Sequence, residues 1–247
     1  MKSKAAFPKR AMILAAGHGE RMRPITDTIP KPMVNLNGRP LLSHALERLE
    51  SVGVNDVVIN THHFAEKIET YYKDYQGVNL MFSREKDLME TGGGIKMALS
   101  MLGDDPFFVI NGDAFWLNGP TNALTRLSAQ WLPEKMDALL MLHSTVDAYG
   151  YDGMGDFLCE PDGRLTRRNE QRVVPWLFAG VQILDPACLR NTPPGPFSLN
   201  WAYNRMLQKD RLYGMIHDGE WFHIGTPDGL DEAERYIKTA FAETKHR

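Results

Sequence analysis

The sequence predicts an α/β fold: a Rossmann-like, mainly parallel sheet with helices on both faces. Three observations carry this expectation. Strand-like and helix-like segments alternate through the first half of the chain. The strand-like segment Phe107–Ile110 (FFVI) is wholly apolar, as a strand covered on both faces must be. The 247 residues suffice for one large domain that buries roughly 70–75% of its unfolded surface without a disulfide or metal.

The elements follow in order. Ala11–Ala15 is a short apolar run that stops at a glycine-rich loop, and reads as the first strand. Residues 1–10 read as a basic leader; the apolar run behind them is too short, and too abruptly polar at its end, for a secretory signal. Pro40 suits the first turn of a helix whose apolar face is Leu41, Leu42, Ala45, Leu46 and Leu49, with Gly53 as its C-terminal cap. Val54–Asn60 is β-branched and strand-like. Ala65–Tyr75 reads as a helix, Val78–Ser83 as a strand and Gly93–Leu102 as a helix. Pro120–Trp131 is expected to be helical and Asp137–His143 a strand. The second half is less regular: a loop over Ala148–Asp156, a strand at Phe178–Leu184, a helix over Leu199–Lys209, a strand at Leu212–Ile216 and a closing helix over Pro227–Glu243.

Composition narrows the function. The chain is 43% hydrophobic and 24% charged with a net charge of −3, which argues against a general nucleic-acid binder. No apolar run reaches the 18 or more residues of a membrane span. The only two cysteines, Cys159 and Cys188, form no framework, and reduced thiols in a cytoplasmic protein are expected.

In an open parallel sheet, ligands bind beyond the carboxyl ends of the strands. Three unusual segments fall there. The first runs Ala16-Gly17-His18-Gly19-Glu20-Arg21-Met22-Arg23-Pro24 and on to Pro30-Lys31-Pro32. Glycines let backbone N–H groups approach a phosphate, Arg21 adds a fixed charge, and two prolines brace Lys31. Such a loop is equipped for a polyphosphate. It is neither a dinucleotide fingerprint, since Met22 stands where the third glycine belongs, nor a Walker A loop, since no Gly-Lys-Ser/Thr exists in the chain. The second segment, Glu90-Thr91-Gly92-Gly93-Gly94, opens a helix with three glycines, at roughly 1 kcal/mol each relative to Ala. That cost implies a close approach, for which a flat ligand such as a base is one reading and a flexible helix start another. The third, Asn111-Gly112-Asp113, ends the apolar strand. A carboxylate beside a polyphosphate loop calls for a cation between them, and Mg²⁺ is the expected one.

These residues resemble a known family. Gly17-x-Gly19-x-Arg21-Met22-x-Pro24-x-Thr26, then Pro30-Lys31-Pro32, Gly92-Gly93, Asn111-Gly112-Asp113 and Trp221-Phe222-x-Ile224-Gly225-Thr226 are similar to the motifs of sugar-1-phosphate nucleotidyltransferases. The resemblance covers about residues 11–240. It implies a GT-A-like single domain over 11–247, with a nucleotide-binding part at about 11–115 and an irregular sugar-binding part at about 116–240. Glu90–Gly94 and Gly155-Asp156-Phe157 resemble the short bacterial members that act on N-acetylmuramate 1-phosphate with UTP in peptidoglycan recycling. A mannose-1-phosphate guanylyltransferase-like activity is the alternative; a catalytically weak regulator that binds nucleotide or sugar phosphate is a second. The implied roles are these. Ala16, Gly17, Gly19, Glu20 and Arg21 hold the triphosphate and Lys31 neutralises the reacting phosphates. Gly93 presents backbone to the base, and Asn111 and Asp156 contact the sugar phosphate or sugar. Arg21, Lys31 and Asp113 are the implied catalytic set. The implied partners are a nucleoside triphosphate and a sugar 1-phosphate, with no nucleic acid or membrane, in a monomer or small homo-oligomer.

The late motif departs from the family pattern. Its usual second metal-binding Asp is His223 here. Three readings stay open: Mg²⁺ held by Asp113, phosphates and water; a softer ion such as Mn²⁺ or Co²⁺ on His223; or a packing histidine. Asp218 and Asp228 lie near enough in sequence to compensate. His62-His63 reads as a surface loop. Arg164, Arg167, Arg168 and Arg172 read as a solvated face, with an anionic sugar as the alternative partner, and Trp176, Phe178 and Trp201 as core, with stacking on a sugar as the alternative.

Overall fold

The computed structural model describes residues 7–244. The strands, in chain order, are β1 (Arg10–Leu14), β2 (Asn35–Leu36), β3 (Arg39–Pro40), β4 (Asp56–Thr61), β5 (Asn79–Arg84), β6 (Phe107–Asn111), β7 (Ala114–Trp116), β8 (Ala138–Ser144), β9 (Phe157–Cys159), β10 (Leu165–Arg167), β11 (Trp176–Leu184), β12 (Leu212–Ile216) and β13 (Trp221–His223). The helices are α1 (Leu41–Ser51), α2 (Ala65–Tyr72), α3 (Glu90–Met97), α4 (Leu99–Leu102), α5 (Ala123–Gln130), α6 (Asn200–Leu207) and α7 (Pro227–Thr244).

The main sheet runs β12-β8-β11-β6-β1-β4-β5. Six of these strands are mutually parallel. β11 is antiparallel to β6 and β8, and its register shifts between Phe178 and Gln182. Alternation along each strand divides the core. Ala11, Ile13, Val57, Ile59, Phe108 and Ile110 pack under α1, α2 and α5. Met12, Val58 and Val109 face the other way, onto Ile95, Leu102, Ala202 and Met206 of α3, α4 and α6. Both sides of the sheet are thus covered by helices, as the apolar strands predict.

Local boundaries have local causes. α1 ends where Gly53 takes a positive φ of 79° and its N–H reaches Glu50 O at 2.9 Å, the cap the sequence predicts. α5 starts at Ala123 rather than Pro120 because Asn122 Oδ1 accepts the N–H groups of Leu124 and Thr125. The helix predicted over Gly93–Leu102 begins earlier, at Glu90, and divides at Ala98 into α3 and α4. The ribbon of β7 and β13 is absent from the sequence reading, because strands of three residues carry almost no periodic signal. Residues 1–6 of the predicted leader lie outside the described residues. Phe7 packs on the Phe108 ring at 5.5 Å, Pro8 is buried, and β1 already begins at Arg10, inside the segment set aside as leader.

Candidate active site

The C-terminal ends of β1, β4 and β6 surround one cavity of about 280 Å³. It is walled by Leu14–Gly17 and Gly19, Lys31 and Pro32, Asn60, Leu88, Glu90 and Thr91, and Asn111, Gly112 and Asp113. The first segment brings its glycines and Lys31 here but not Glu20 or Arg21, and Asn111-Gly112-Asp113 arrives whole. The segment Glu90–Gly94 contributes its first two residues but not its glycines.

Gly17 has open space where a Cβ would stand, so its backbone is free to meet a ligand. Gly19 has φ +68, and a Cβ there would lie 2.9 Å from Lys31 Cβ. That close approach lays the loop against Lys31, and Thr26 Oγ1 fixes it by donating to Gly19 O at 2.9 Å. Buried Met22 anchors the single 3₁₀ turn Glu20–Met22, leaving Glu20 and Arg21 exposed on its outside. Pro30 and Pro32 frame a second such turn, which presents Lys31 inward. Gly112 donates to Leu14 O at 2.8 Å, and a Cβ on it would crowd that oxygen and Pro32. This fit carries Asp113 to Lys31: Nζ and Oδ2 are 2.5 Å apart. The lysine side chain is only 12% exposed and the aspartate 37%, so the pair is shielded on one side and open to the cavity on the other.

Asn60 and Glu85, each 3% exposed, form a floor that sequence reasoning missed. Asn60 Oδ1 accepts the Ala15 N–H at 2.8 Å, while its Nδ2 donates to Glu85 Oε1 at 2.7 Å. Glu85 Oε2 accepts the Met89 N–H at 2.8 Å. An acid at position 60 could not donate and accept at once. The nearest available signal was the amide at a strand end where a dinucleotide site carries a carboxylate.

The glycines of α3 have an internal explanation. The N–H groups of Gly92 and Gly93 both donate to Phe197 O, at 2.9 and 3.1 Å. A Cβ on Gly92 would enter the Phe197 ring, one on Gly93 would lie 2.9 Å from Gly195 O, and one on Gly94 would lie 2.6 Å from Glu85 Oε1. The close approach inferred from sequence is therefore made by the chain itself, and Gly93 does not line the cavity. Glu90 does line it, and holds an uncommon φ of +57°.

Asn111 faces the cavity at the end of β6. Asp156 does not line it: its Oδ2 accepts the Phe178 N–H at 2.8 Å and secures the irregular start of β11. Arg164 pairs with Asp162, Arg167 reaches Asn200, and Arg168 donates to backbone carbonyls of Gly155 and Glu170, so these arginines do not converge. Trp176, Phe178 and Trp201 pack against the α6-side core.

The β7–β13 register sets His223 across from Ala114, beside Asp113. Burial holds its pKa below the usual 6.5; Arg21 and Lys31 add to this, and Asp113 and Asp152 oppose it. The ring is therefore a neutral imidazole at pH 7, and its Nε2 lies over Gly225, where a side chain would strike it. Asp218 does not compensate, since it is paired with Arg126 at 2.5 Å, and Asp228 sits in the first turn of α7. The acids whose fields act on His223 are Asp113 and Asp152, the latter unmarked by any sequence motif. Among the described residues no three His, Cys, Asp or Glu side chains are arranged to hold a metal ion. The donor set fits a hard divalent cation anchored on Asp113 that takes its other ligands from phosphates and water, and does not fit an all-protein cage.

Comparison with known proteins agrees with this construction. The family model described as nucleotidyl transferase matches residues 10–160, more than half of the chain. The chain is 37% identical over 238 residues to N-acetylmuramate alpha-1-phosphate uridylyltransferase of Caulobacter vibrioides, covering 94% of this chain and 98% of that one. It is 30% identical over 252 residues to the mannose-1-phosphate guanylyltransferase catalytic subunit beta of Danio rerio, covering 96% of this chain and 67% of that one. In fold it resembles a UDP-glucose pyrophosphorylase crystallised with UDP-glucose, at TM-score 0.77 and 20% identity over 94% of this chain and 99% of the other. On the family match and the full-length relatives together, the chain belongs to the nucleotidyl transferase family and is a sugar-1-phosphate nucleotidyltransferase.

Proposed function

We propose that this enzyme transfers a uridylyl group from UTP to N-acetylmuramate 1-phosphate, forming the UDP-sugar and releasing pyrophosphate, as a step of cytoplasmic peptidoglycan recycling. The observation that carries the reading is the Lys31–Asp113 pair closed against the glycine loop. The full-length likeness to uridylyltransferases of that name supports the donor and the acceptor.

In this reaction a phosphate oxygen of the sugar 1-phosphate attacks the α-phosphorus. The bond from that phosphorus to the bridging oxygen of the β-phosphate breaks, and pyrophosphate leaves with the electron pair. The protein's part is positioning and charge. The backbone of Ala16, Gly17 and Gly19 holds the triphosphate, and Arg21 stands outside it on its 3₁₀ turn. Lys31 sits where charge develops on the reacting phosphates, oriented by Asp113. Asn111 faces the acceptor. Asp113, with His223 alongside, would hold Mg²⁺ together with the phosphates, and the ion would neutralise charge on the triphosphate. Mn²⁺ or Co²⁺ are the substitutes to compare, and the enzyme acts as a monomer or small homo-oligomer.

The test is pyrophosphate release from N-acetylmuramate 1-phosphate and Mg²⁺ with UTP, GTP, CTP and dTTP in turn. Release with UTP, and at least tenfold less with the others, is expected. Turnover confined to GTP and mannose 1-phosphate would replace this reading by the guanylyl one, which the 30% identity to guanylyltransferases keeps in view. No metal-dependent release with any pair would leave a binding protein.

A further inference from the structure

His62 and His63, read from sequence as a surface loop, are not alone in the folded chain. His18, between Gly17 and Gly19 of the phosphate loop, meets both rings edge-on, with centroids 5.7 Å from His62 and 5.1 Å from His63. His62 Nδ1 lies 3.1 Å from Glu85 O and donates to it, which turns Nε2 away from that carbonyl. The His63 ring lies on Phe64 at 4.1 Å. Three imidazoles from two strand ends thus stand together beside the cavity mouth.

Most of the charges around them are positive or already engaged; Glu20, exposed two residues from His18, is the acid of the loop itself. Arg23 acts on His63 and itself holds Asp27 at 3.3 Å. The Glu85 carboxylate is turned onto Asn60 and Met89 N–H. On α2, Glu66 and Glu69 are met by Arg84, and Lys67 lies over Phe64. No metal cage is formed, since no three-ligand group exists among the described residues. A cluster in which bases outnumber unengaged acids is a seat for an anion.

We propose that His18, His62 and His63 form a proton-linked clasp for the terminal phosphate of the bound triphosphate, and equally for one end of the pyrophosphate product. The inference rests on the triphosphate reading of the glycine loop. Gly17 and Gly19 both wall the cavity, so an anion on their N–H groups lies within one residue of His18. Lys31, held by Asp113, serves the reacting phosphate, which leaves the terminal phosphate to groups farther along the loop. When the clasp is empty, burial first and then its like-charged neighbours hold the His63 pKa below 6.5. An arriving phosphate reverses that balance and draws a proton onto His63. Binding therefore takes up protons: affinity gains as pH falls toward the imidazole range and loses this contribution above it.

The experiment is titration calorimetry of the whole enzyme with inorganic pyrophosphate at pH 6.5 and 8.5, in buffers of different ionisation enthalpy. His18 is exposed, so His18→Gln leaves the fold intact; His62→Gln with His63→Gln is the second variant, and His18→Arg the permanent cation. Each Gln variant is expected to bind pyrophosphate about tenfold more weakly at pH 6.5, with little loss at pH 8.5 and with reduced proton uptake. His18→Arg is expected to keep tight binding at both pH values and to take up fewer protons. Gln variants with wild-type affinity at pH 6.5, or with equal losses at both pH values, overturn the clasp. Wild-type protein that binds neither pyrophosphate nor UTP overturns the triphosphate reading itself, and the clasp with it.

Discussion

In residues 10–113, the groups that wall the cavity come from the loops that leave the carboxyl ends of parallel strands. Residues 114–244 wall none of it and act by tertiary pairing. β13 lies on β7 and brings His223 beside Asp113, and the Gly195–Phe197 segment bonds and packs the glycines of α3. One half walls the cavity with local loops. The other braces those loops from outside it. The lesson is that strand ends specify the local part of a site, while elements that sequence order keeps far apart brace it.

The largest effect should come from the first half. Lys31→Ala and Asp113→Ala are each expected to lower kcat by ~10²–10³ with the fold retained. Since the two side chains touch, the double variant should fall well short of the product of the singles. Fully multiplicative losses in steady-state kinetics would separate the two roles.

Asn60→Ala tests the floor rather than the chemistry. It strips the buried Glu85 carboxylate of a donor and Ala15 N–H of an acceptor, and should cost about 3 kcal/mol in urea unfolding. A loss below about 1 kcal/mol would mean that water replaces the amide.

His223→Asp asks whether the second half reaches the metal. It restores the family pattern and should lower the Mg²⁺ concentration for half-maximal turnover by about tenfold. An unchanged Mg²⁺ requirement would leave His223 as a packing residue over Gly225.

The smallest effect concerns pH. His44 is buried against Phe115 and bonded to Leu36 O at 2.9 Å, and burial holds its folded pKa below the unfolded 6.5. Below that value the unfolded chain binds more protons than the folded one, so stability is present above pH 6.5 and falls as pH drops. Denaturation at pH 7.0 and 5.5 should show this fall, and His44→Gln should make it shallower. An identical slope in the variant would assign the acid sensitivity to other buried histidines such as His217.

The sequence by itself determined the alternating fold, the glycine loop, Lys31 between its prolines and Asp113 after an apolar strand. These are local facts: period, turn chemistry and charge within a few residues suffice to state them. It could not determine that β11 runs against its neighbours, because side-chain alternation is the same in either direction. It could not show that Phe197 fills the space over Gly92, that Asn60 and Glu85 share a hydrogen bond, or that Asp152 rather than Asp218 acts on His223. It could not set His18 beside His62 and His63 either. Each of those juxtapositions joins residues 25 to more than 100 positions apart. Only the packing of loops over a finished sheet decides them, because burial selects partners by shape and unsatisfied polarity and not by distance along the chain.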